Sequence, residues 1–298
     1  MKRSVWLTGL LMSLGLTSSA LAQAPEGVEV HRDLEYVKGG HERQKLDLYL
    51  PKKADGPLPV IIWVHGGAWL AGSKEGGGPA RSFVGKGYAV ASINYRLSQH
   101  ATFPAQIEDC KAAIRWLRAN AKTYHLDPDH FGVWGASAGG HLVALLGTSG
   151  DVKDLEGHEG ALDQSSRVQA VVDWFGPTDV TKMGGSHDRP DAPEARLIGG
   201  PVQENKDKAA RANPITYVSK DDPPFLIMHG DQDKTVPLSQ SELLRDALEK
   251  AGVDTTFRPV TGAGHGGREF ASEENRKLIE DFFDRHLKKG SPRSGASS

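Results

Sequence analysis

Ser137 stands at the centre of Gly135-Ala136-Ser137-Ala138-Gly139, between the apolar run Phe131-Gly132-Val133-Trp134 and a helix-like stretch over 138–148. Glycine at both ends and small residues at both spacers suit a sharp strand-to-helix turn, in which a side chain at either glycine would clash. Such a turn lifts the hydroxyl clear of a sheet and aims helix N-terminal amides at whatever the serine attacks. His65-Gly66-Gly67-Ala68-Trp69 closes the most apolar strand candidate, residues 59–64. Its consecutive glycines leave their amides open to the close approach of an anionic oxygen. Together the amides of Gly66, Gly67 and Ala138 would form an oxyanion hole, worth roughly 3 kcal/mol of transition-state stabilisation per donor.

Two more loops carry groups that could move a proton. His229-Gly230-Asp231-Gln232-Asp233-Lys234-Thr235-Val236-Pro237 follows the buried-type strand Phe225-Leu226-Ile227-Met228. Asp233 is assigned as the acid, because Asp231 directly follows the strand-ending glycine and is placed to bond local amides in the turn. Asp231 stays open as an alternative, and so does Asp179 in Gly176-Pro177-Thr178-Asp179. His265 lies in Thr261-Gly262-Ala263-Gly264-His265-Gly266-Gly267, where glycines offer an imidazole no apolar face to pack on. It is the expected base, free to bridge an acid and a hydroxyl. His31, His41, His158, His187 and His286 lie in polar surroundings and read as surface, while His65 and His229 end strands and read as holding loops. With no HExxH or CxxC spacing, the sequence supports no metal site, and the expected chemistry needs no cofactor.

The order Ser137, Asp233, His265 is the nucleophile–acid–histidine order of α/β-hydrolases. The chain resembles an α/β-hydrolase carboxylesterase of the HGG-bearing kind, and more narrowly bacterial feruloyl and acetyl xylan esterases. That likeness spans about residues 30 to 287 and rests on His65-Gly66-Gly67-Ala68-Trp69, Asn94-Tyr95-Arg96-Leu97-Ser98, Phe103-Pro104-Ala105-Gln106, the stretch 109–117 and Asp173-Trp174-Phe175-Gly176-Pro177-Thr178-Asp179. It implies a serine esterase cleaving short-chain, acetyl or feruloyl esters on plant cell-wall polysaccharide. A generalist short-chain carboxylesterase is the nearest alternative; an arylformamidase or a peptidase on the same fold stands further off. A non-catalytic binding protein on this fold is disfavoured by the intact serine, acid and histidine. Trp69, Trp174, Tyr95 and Phe103 are the candidate substrate-binding aromatics, with Trp69 expected along one side of an open, shallow pocket.

These groups must be positioned by an alternation of strands and helices. Residues 28–37 and 45–50 form an expected antiparallel pair. Strands follow at 59–64, 88–94, 130–134, 168–174, 224–229 and 254–260. Helix-like segments fall near 78–87, 104–122, 138–148, 237–251 and 271–288. Eight strands with helices between them predict a mostly parallel, doubly wound α/β sheet, with ligands bound at the carboxyl ends of its strands. The stretch 176–223, rich in Gly, Pro and charge, interrupts the alternation as a lid-like or rim insertion with a short helix around 191–197. Cys110, the sole cysteine, shares a helical face with Ile107, Ile114 and Leu117 and reads as a core residue.

Residues 1–22 carry the marks of a signal peptide: Lys2 and Arg3, an apolar stretch over 5–16, and Ala20-Leu21-Ala22 as a cleavage site. Export to the periplasm or beyond is therefore expected, without membrane attachment after its removal. The remainder, 23–289, suffices for one hydrolase domain, and the small polar tail 290–298 is expected to be disordered. A net charge of −2 disfavours a nucleic-acid or anionic-membrane partner.

Overall fold

The structure is a computed structural model and describes residues 27–150 and 152–288. The leader at 1–22 and the tail at 290–298 lie outside the described residues. Eight strands make one sheet: β1 (Val28–Glu35), β2 (Lys45–Pro51), β3 (Leu58–Val64), β4 (Ala89–Ile93), β5 (Leu126–Ala136), β6 (Ala170–Trp174), β7 (Phe225–Gly230) and β8 (Thr255–Val260). Their spatial order is β1-β2-β4-β3-β5-β6-β7-β8. The pairs β1/β2 and β2/β4 run antiparallel and every other pair runs parallel. The fold is the α/β-hydrolase sheet.

The central strands are apolar on both faces, as a sheet covered on both sides requires. Val60, Ile62 and Val64 of β3 enter one core, while Ile61 and Trp63 enter the other. Helices α1 (Ala105–Ala119), α2 (Ala138–Thr148) and α5 (Ser239–Ala251) cover the first face. The 3₁₀ run Pro79–Lys86 and α6 (Glu273–Leu287) cover the second. The sequence suggests an ordinary helix over 78–87; proline at its start and Gly85 and Gly87 near its end leave a tighter 3₁₀ run that stops at Gly87, φ 84°. Cys110 is buried on α1, as its spacing implies.

The insertion 176–223 carries α3 (Pro193–Ile198), α4 (Lys206–Ala212) and several short turns. It is stitched to the domain by buried polar contacts. Gln240 Oε1 accepts the amides of Thr178 and Asp179, each at 2.8 Å. Within the insertion, Asn213 accepts the amide of Val180 and donates to Asp179, which ties its two ends together. Its own Leu197, Val202, Ala209 and Ala212 are fully buried.

The chain passes from β3 outward to β4 and returns to β5 on the other side of β3. That reversal opens a crevice at the carboxyl ends of β3 and β5. Val64 pairs with Gly135 there, so the segment after β3 faces the segment after β5.

Candidate active site

The turn after β5 has the strain its sequence implies. Ser137 has φ 57° and ψ −120°, a region that residues with side chains rarely adopt. A Cβ on Gly135 would lie 2.2 Å from Gly139 O, and one on Gly139 would lie 2.1 Å from Val64 O. The turn is clamped by the Ser137 amide, which donates to Trp174 O at 2.8 Å. Ala138 opens α2, so its amide faces the helix N-terminal side.

Loops after β7 and β8 bring an acid and a base to that hydroxyl. His265 Nε2 lies 2.9 Å from Ser137 Oγ, and His265 Nδ1 lies 2.7 Å from Asp233 Oδ2. A carboxylate can only accept, so Nδ1 carries the proton and Nε2 accepts from the serine hydroxyl. Asp233 Oδ1 takes the amides of Thr235 and Val236 at 2.7 and 3.0 Å. Burial opposes its charge. Bonds from His229, His265 and those two amides outweigh burial and hold the carboxyl well below the usual carboxylate range.

The two alternative acids are occupied elsewhere. Asp231 accepts the Gly262 amide at 2.8 Å and ties the β8 loop to the β7 loop. Asp179 caps the turn Val180–Lys182 and is bonded to Thr181, Lys182 and Asn213.

On the other side of the crevice, Gly66 backs directly onto the serine: a Cβ there would meet Ser137 Cβ at 3.4 Å. Gly67 has φ 107°, and its carbonyl takes the amides of Leu70 and Ala71. The stretch 66–67 and the start of α2 thus flank Ser137, where an oxyanion on an attacked carbonyl would need donors.

Three of the four candidate substrate aromatics pack into the core, contrary to expectation. Trp69 is 2% exposed. Its left-handed backbone, φ 57°, turns the indole into the core, where Nε1 donates to His141 Nδ1 at 3.2 Å. His141 in turn donates Nε2–H to Ala212 O at 2.7 Å, and burial pushes its pKa down to about 4. Trp69 therefore anchors the HGG loop to α2 and the insertion from within the core. Tyr95 is fully buried and stacks on the His65 ring at 4.4 Å. Phe103 is half-buried and packs against the core.

Trp174 borders open space, in a cavity that none of Ser137, Asp233 and His265 lines. With Phe83, Trp134, Phe270, Ile279 and the exposed Arg276 it lines that cavity, of about 330 Å3. Phe270 packs edge-on against Phe175, and Phe175 packs on the His265 ring at 4.6 Å, which joins this wall to the proton-transfer groups. Phe270 stands out from nothing in the sequence, because its partners Trp174 and Phe175 come from a strand end some hundred positions away. His229 holds the loop after β7, as its place at a strand end suggests, through Val236 O and Asp233, while the role of Arg43 has no signal in the sequence.

The BD-FAE family model matches residues 46–248. The chain is 35% identical over 260 residues to Esterase LipQ of Mycobacterium tuberculosis, covering 85% of this chain and 61% of that protein. It is 34% identical to the probable carboxylic ester hydrolase LipM of the same organism, covering 72% of this chain and 50% of that protein. The chain thus spans little more than half the length of these curated relatives. Among solved structures, a truncated form of a carbohydrate esterase from gut microbiota superposes with a TM-score of 0.84 at 38% identity, covering 89% of this chain and 99% of that one. An acetyl ester-xyloside bifunctional hydrolase from Caldicellulosiruptor lactoaceticus superposes with a TM-score of 0.70 at 28% identity, covering 80% and 87%.

Proposed function

We propose that this chain, which belongs to the BD-FAE family, is a serine esterase whose nucleophile is Ser137. The observation that carries the reading is the chain of bonds from Asp233 through His265 to a hydroxyl on a strained turn, 2.7 and 2.9 Å long. His265 Nε2 takes the proton as Ser137 Oγ bonds to the ester carbonyl carbon. The carbonyl oxygen becomes an oxyanion held by amides of Gly66, Gly67 and Ala138. When the intermediate collapses, the ester C–O bond breaks and His265 returns the proton to the leaving alcohol. Water, deprotonated by the same histidine, then frees the carboxylic acid and restores the serine. Asp233 stays ionised throughout and stabilises the imidazolium.

For the substrate we propose acetyl or hydroxycinnamoyl esters on plant cell-wall polysaccharide, met after export directed by residues 1–22. The solved structures named as carbohydrate esterase and acetyl ester-xyloside hydrolase support the first class. For the second we propose the cavity beside Trp174 as the acyl site: none of Ser137, Asp233 and His265 lines it, but Phe270 and Phe175 connect its wall to the His265 ring, and flat rings pack well against aromatic walls. At about 330 Å3 it is at the small end of ligand sites, which favours short or planar acyl groups over long chains. The second reading, a generalist short-chain esterase, rests on the relatives named simply as esterases.

The test is twofold. A fluorophosphonate should leave its adduct on Ser137 by mass spectrometry; an adduct elsewhere would refute the mechanism. Comparing kcat/KM on acetylated xylan, methyl ferulate and p-nitrophenyl esters of rising chain length then separates the substrate classes. Highest activity on long-chain esters would rule out both.

A further inference from the structure

Arg43 lies on the turn between β1 and β2, away from every motif that carries the chemistry, yet its side chain ends under the HGG loop. Its Nε donates to Tyr95 O at 2.8 Å, and one Nη2 reaches Gly72 O at 2.9 Å and His65 Nε2 at 3.2 Å. The other ring nitrogen, His65 Nδ1, lies 2.7 Å from Gly66 O. His65 is further held by Tyr95, which stacks on its ring and donates its hydroxyl to His65 O at 3.0 Å. Gly72 presses from the remaining side: a Cβ there would meet His65 Nδ1 at 2.4 Å and Gly66 O at 2.5 Å.

These contacts dictate where the imidazole proton sits. A guanidinium has five donors and no acceptor, so His65 Nε2 must present its lone pair to Arg43. The neutral ring then carries its proton on Nδ1 and donates it to Gly66 O. Burial, with Arg43's charge added, pushes the His65 pKa down to about 4, so the ring stays neutral at ordinary pH. The opposite tautomer would set an N–H against the guanidinium and a lone pair against Gly66 O.

The direction of Gly66 O matters because a trans peptide sets its C=O and the next N–H on opposite sides. Drawing Gly66 O toward His65 therefore turns the Gly67 N–H away from His65. We propose that Arg43 is a positioning residue for ester hydrolysis: it selects the Nδ1–H tautomer of His65 and thereby aims the Gly67 amide at the oxyanion. The proposal rests on the esterase reading above.

The experiment measures kcat and KM for p-nitrophenyl acetate in the unmodified protein, Arg43→Met and Arg43→Lys, and records ¹⁵N shifts of the His65 ring in each. In the unmodified protein Nδ1 should be protonated and Nε2 bare. Arg43→Met should lower kcat about 10- to 100-fold, as a misaimed oxyanion donor does, with KM held within about twofold. Arg43→Lys, which keeps a donor within reach of Nε2, should recover most of that loss. A purely structural role would instead lower thermal stability while leaving kcat of the folded enzyme intact. A protonated Nε2 in the unmodified protein overturns the proposal, and that reading needs no variant to fold. So does an Arg43→Met enzyme with kcat within about twofold of the parent. If the unmodified protein cleaved no ester at all, the esterase reading would fail, while the tautomer measurement would still decide the positions of the protons.

Discussion

Asp233 Oδ2 lies 3.2 Å from His229 Nε2 as well as 2.7 Å from His265 Nδ1, so one carboxylate oxygen serves two imidazoles. His229 Nε2 is also 2.9 Å from Val236 O, and its Nδ1 is 2.7 Å from Ser241 Oγ. With two acceptors facing it, Nε2 must carry the proton, and Nδ1 accepts from the serine hydroxyl. His229 is fully buried, and its bonds hold the acid rigid from behind.

That pairing ranks two substitutions. Asp233→Asn would present an amide N–H or a weaker acceptor to both imidazoles and disfavour the productive His265 tautomer. It should lower kcat by up to about four decades. His229→Phe keeps the volume but removes one donor to Asp233 and leaves Val236 O unpaired. It should cost about 1–3 kcal/mol of stability and lower kcat far less than Asp233→Asn does. Steady-state kinetics with thermal unfolding checks both, and Asp231→Asn as the more damaging loop variant would transfer the acid's role.

The strain at Ser137 gives a stability prediction of opposite sign to its effect on activity. At φ 57° and ψ −120°, glycine relieves a cost on the order of 1–3 kcal/mol, part of which is offset by a freer unfolded chain. Ser137→Gly should therefore unfold at a higher temperature than the parent while losing ester hydrolysis. A clear fall in Tm would mean the turn holds no strain at that residue.

Asp173 on β6 makes stability depend on pH. It is fully buried; its Oδ1 accepts the Gly176 amide at 2.9 Å, and its Oδ2 has no partner among the described residues. Burial, only partly countered by that bond and by nearby His229, raises its pKa to about 6. A raised carboxyl favours the fold below its ordinary titration range, and that contribution is lost as pH rises through about 6. The loss amounts to about 3 kcal/mol at neutrality. Asp222, also raised to about 6, behaves alike but cancels in a comparison with Asp173→Asn. Asp233 has the opposite sign and gives up its contribution only at pH below the usual carboxylate range. The Tm of Asp173→Asn relative to the parent should therefore climb between pH 5 and pH 7.5, and a gap that stays flat with pH would contradict this account.

Burial separates the two aromatic groups near the crevice. Trp69→Ala empties a packed core position and removes the bond to His141, so it should cost about 3–5 kcal/mol and leave the ratio of feruloyl to acetyl ester hydrolysis unchanged. Phe270→Ala opens the wall of the cavity beside Trp174 and should lower kcat/KM for methyl ferulate several-fold more than for an acetyl ester. Equal losses on both esters in Phe270→Ala would remove that cavity from acyl recognition.

Much of this protein was settled by local chemistry that a sequence displays directly. The Ser137 turn was legible because the turn itself demands glycine: Gly135 answers a clash with Gly139 O four residues on, although the clash that Gly139 avoids, with Val64 O, comes from another strand. The strands were legible because a doubly covered sheet demands unbroken apolar runs such as Val60-Ile61-Ile62. Asp231 and Asp233 could be ranked by turn chemistry, since amide bonding next to a strand end is a short-range matter. Helix α4 was missed because its alanines look like loop until Ala209 and Ala212 find a core to fill. Only the tertiary structure decided where Trp69, Tyr95 and Trp174 point, because a left-handed residue or a strand terminus turns a side chain by an angle that depends on distant packing. It alone joined Arg43 to His65, His229 to Asp233 and Phe270 to Phe175. Those contacts connect residues from separate strands and loops, and their geometry exists only once the whole sheet has brought its carboxyl ends together.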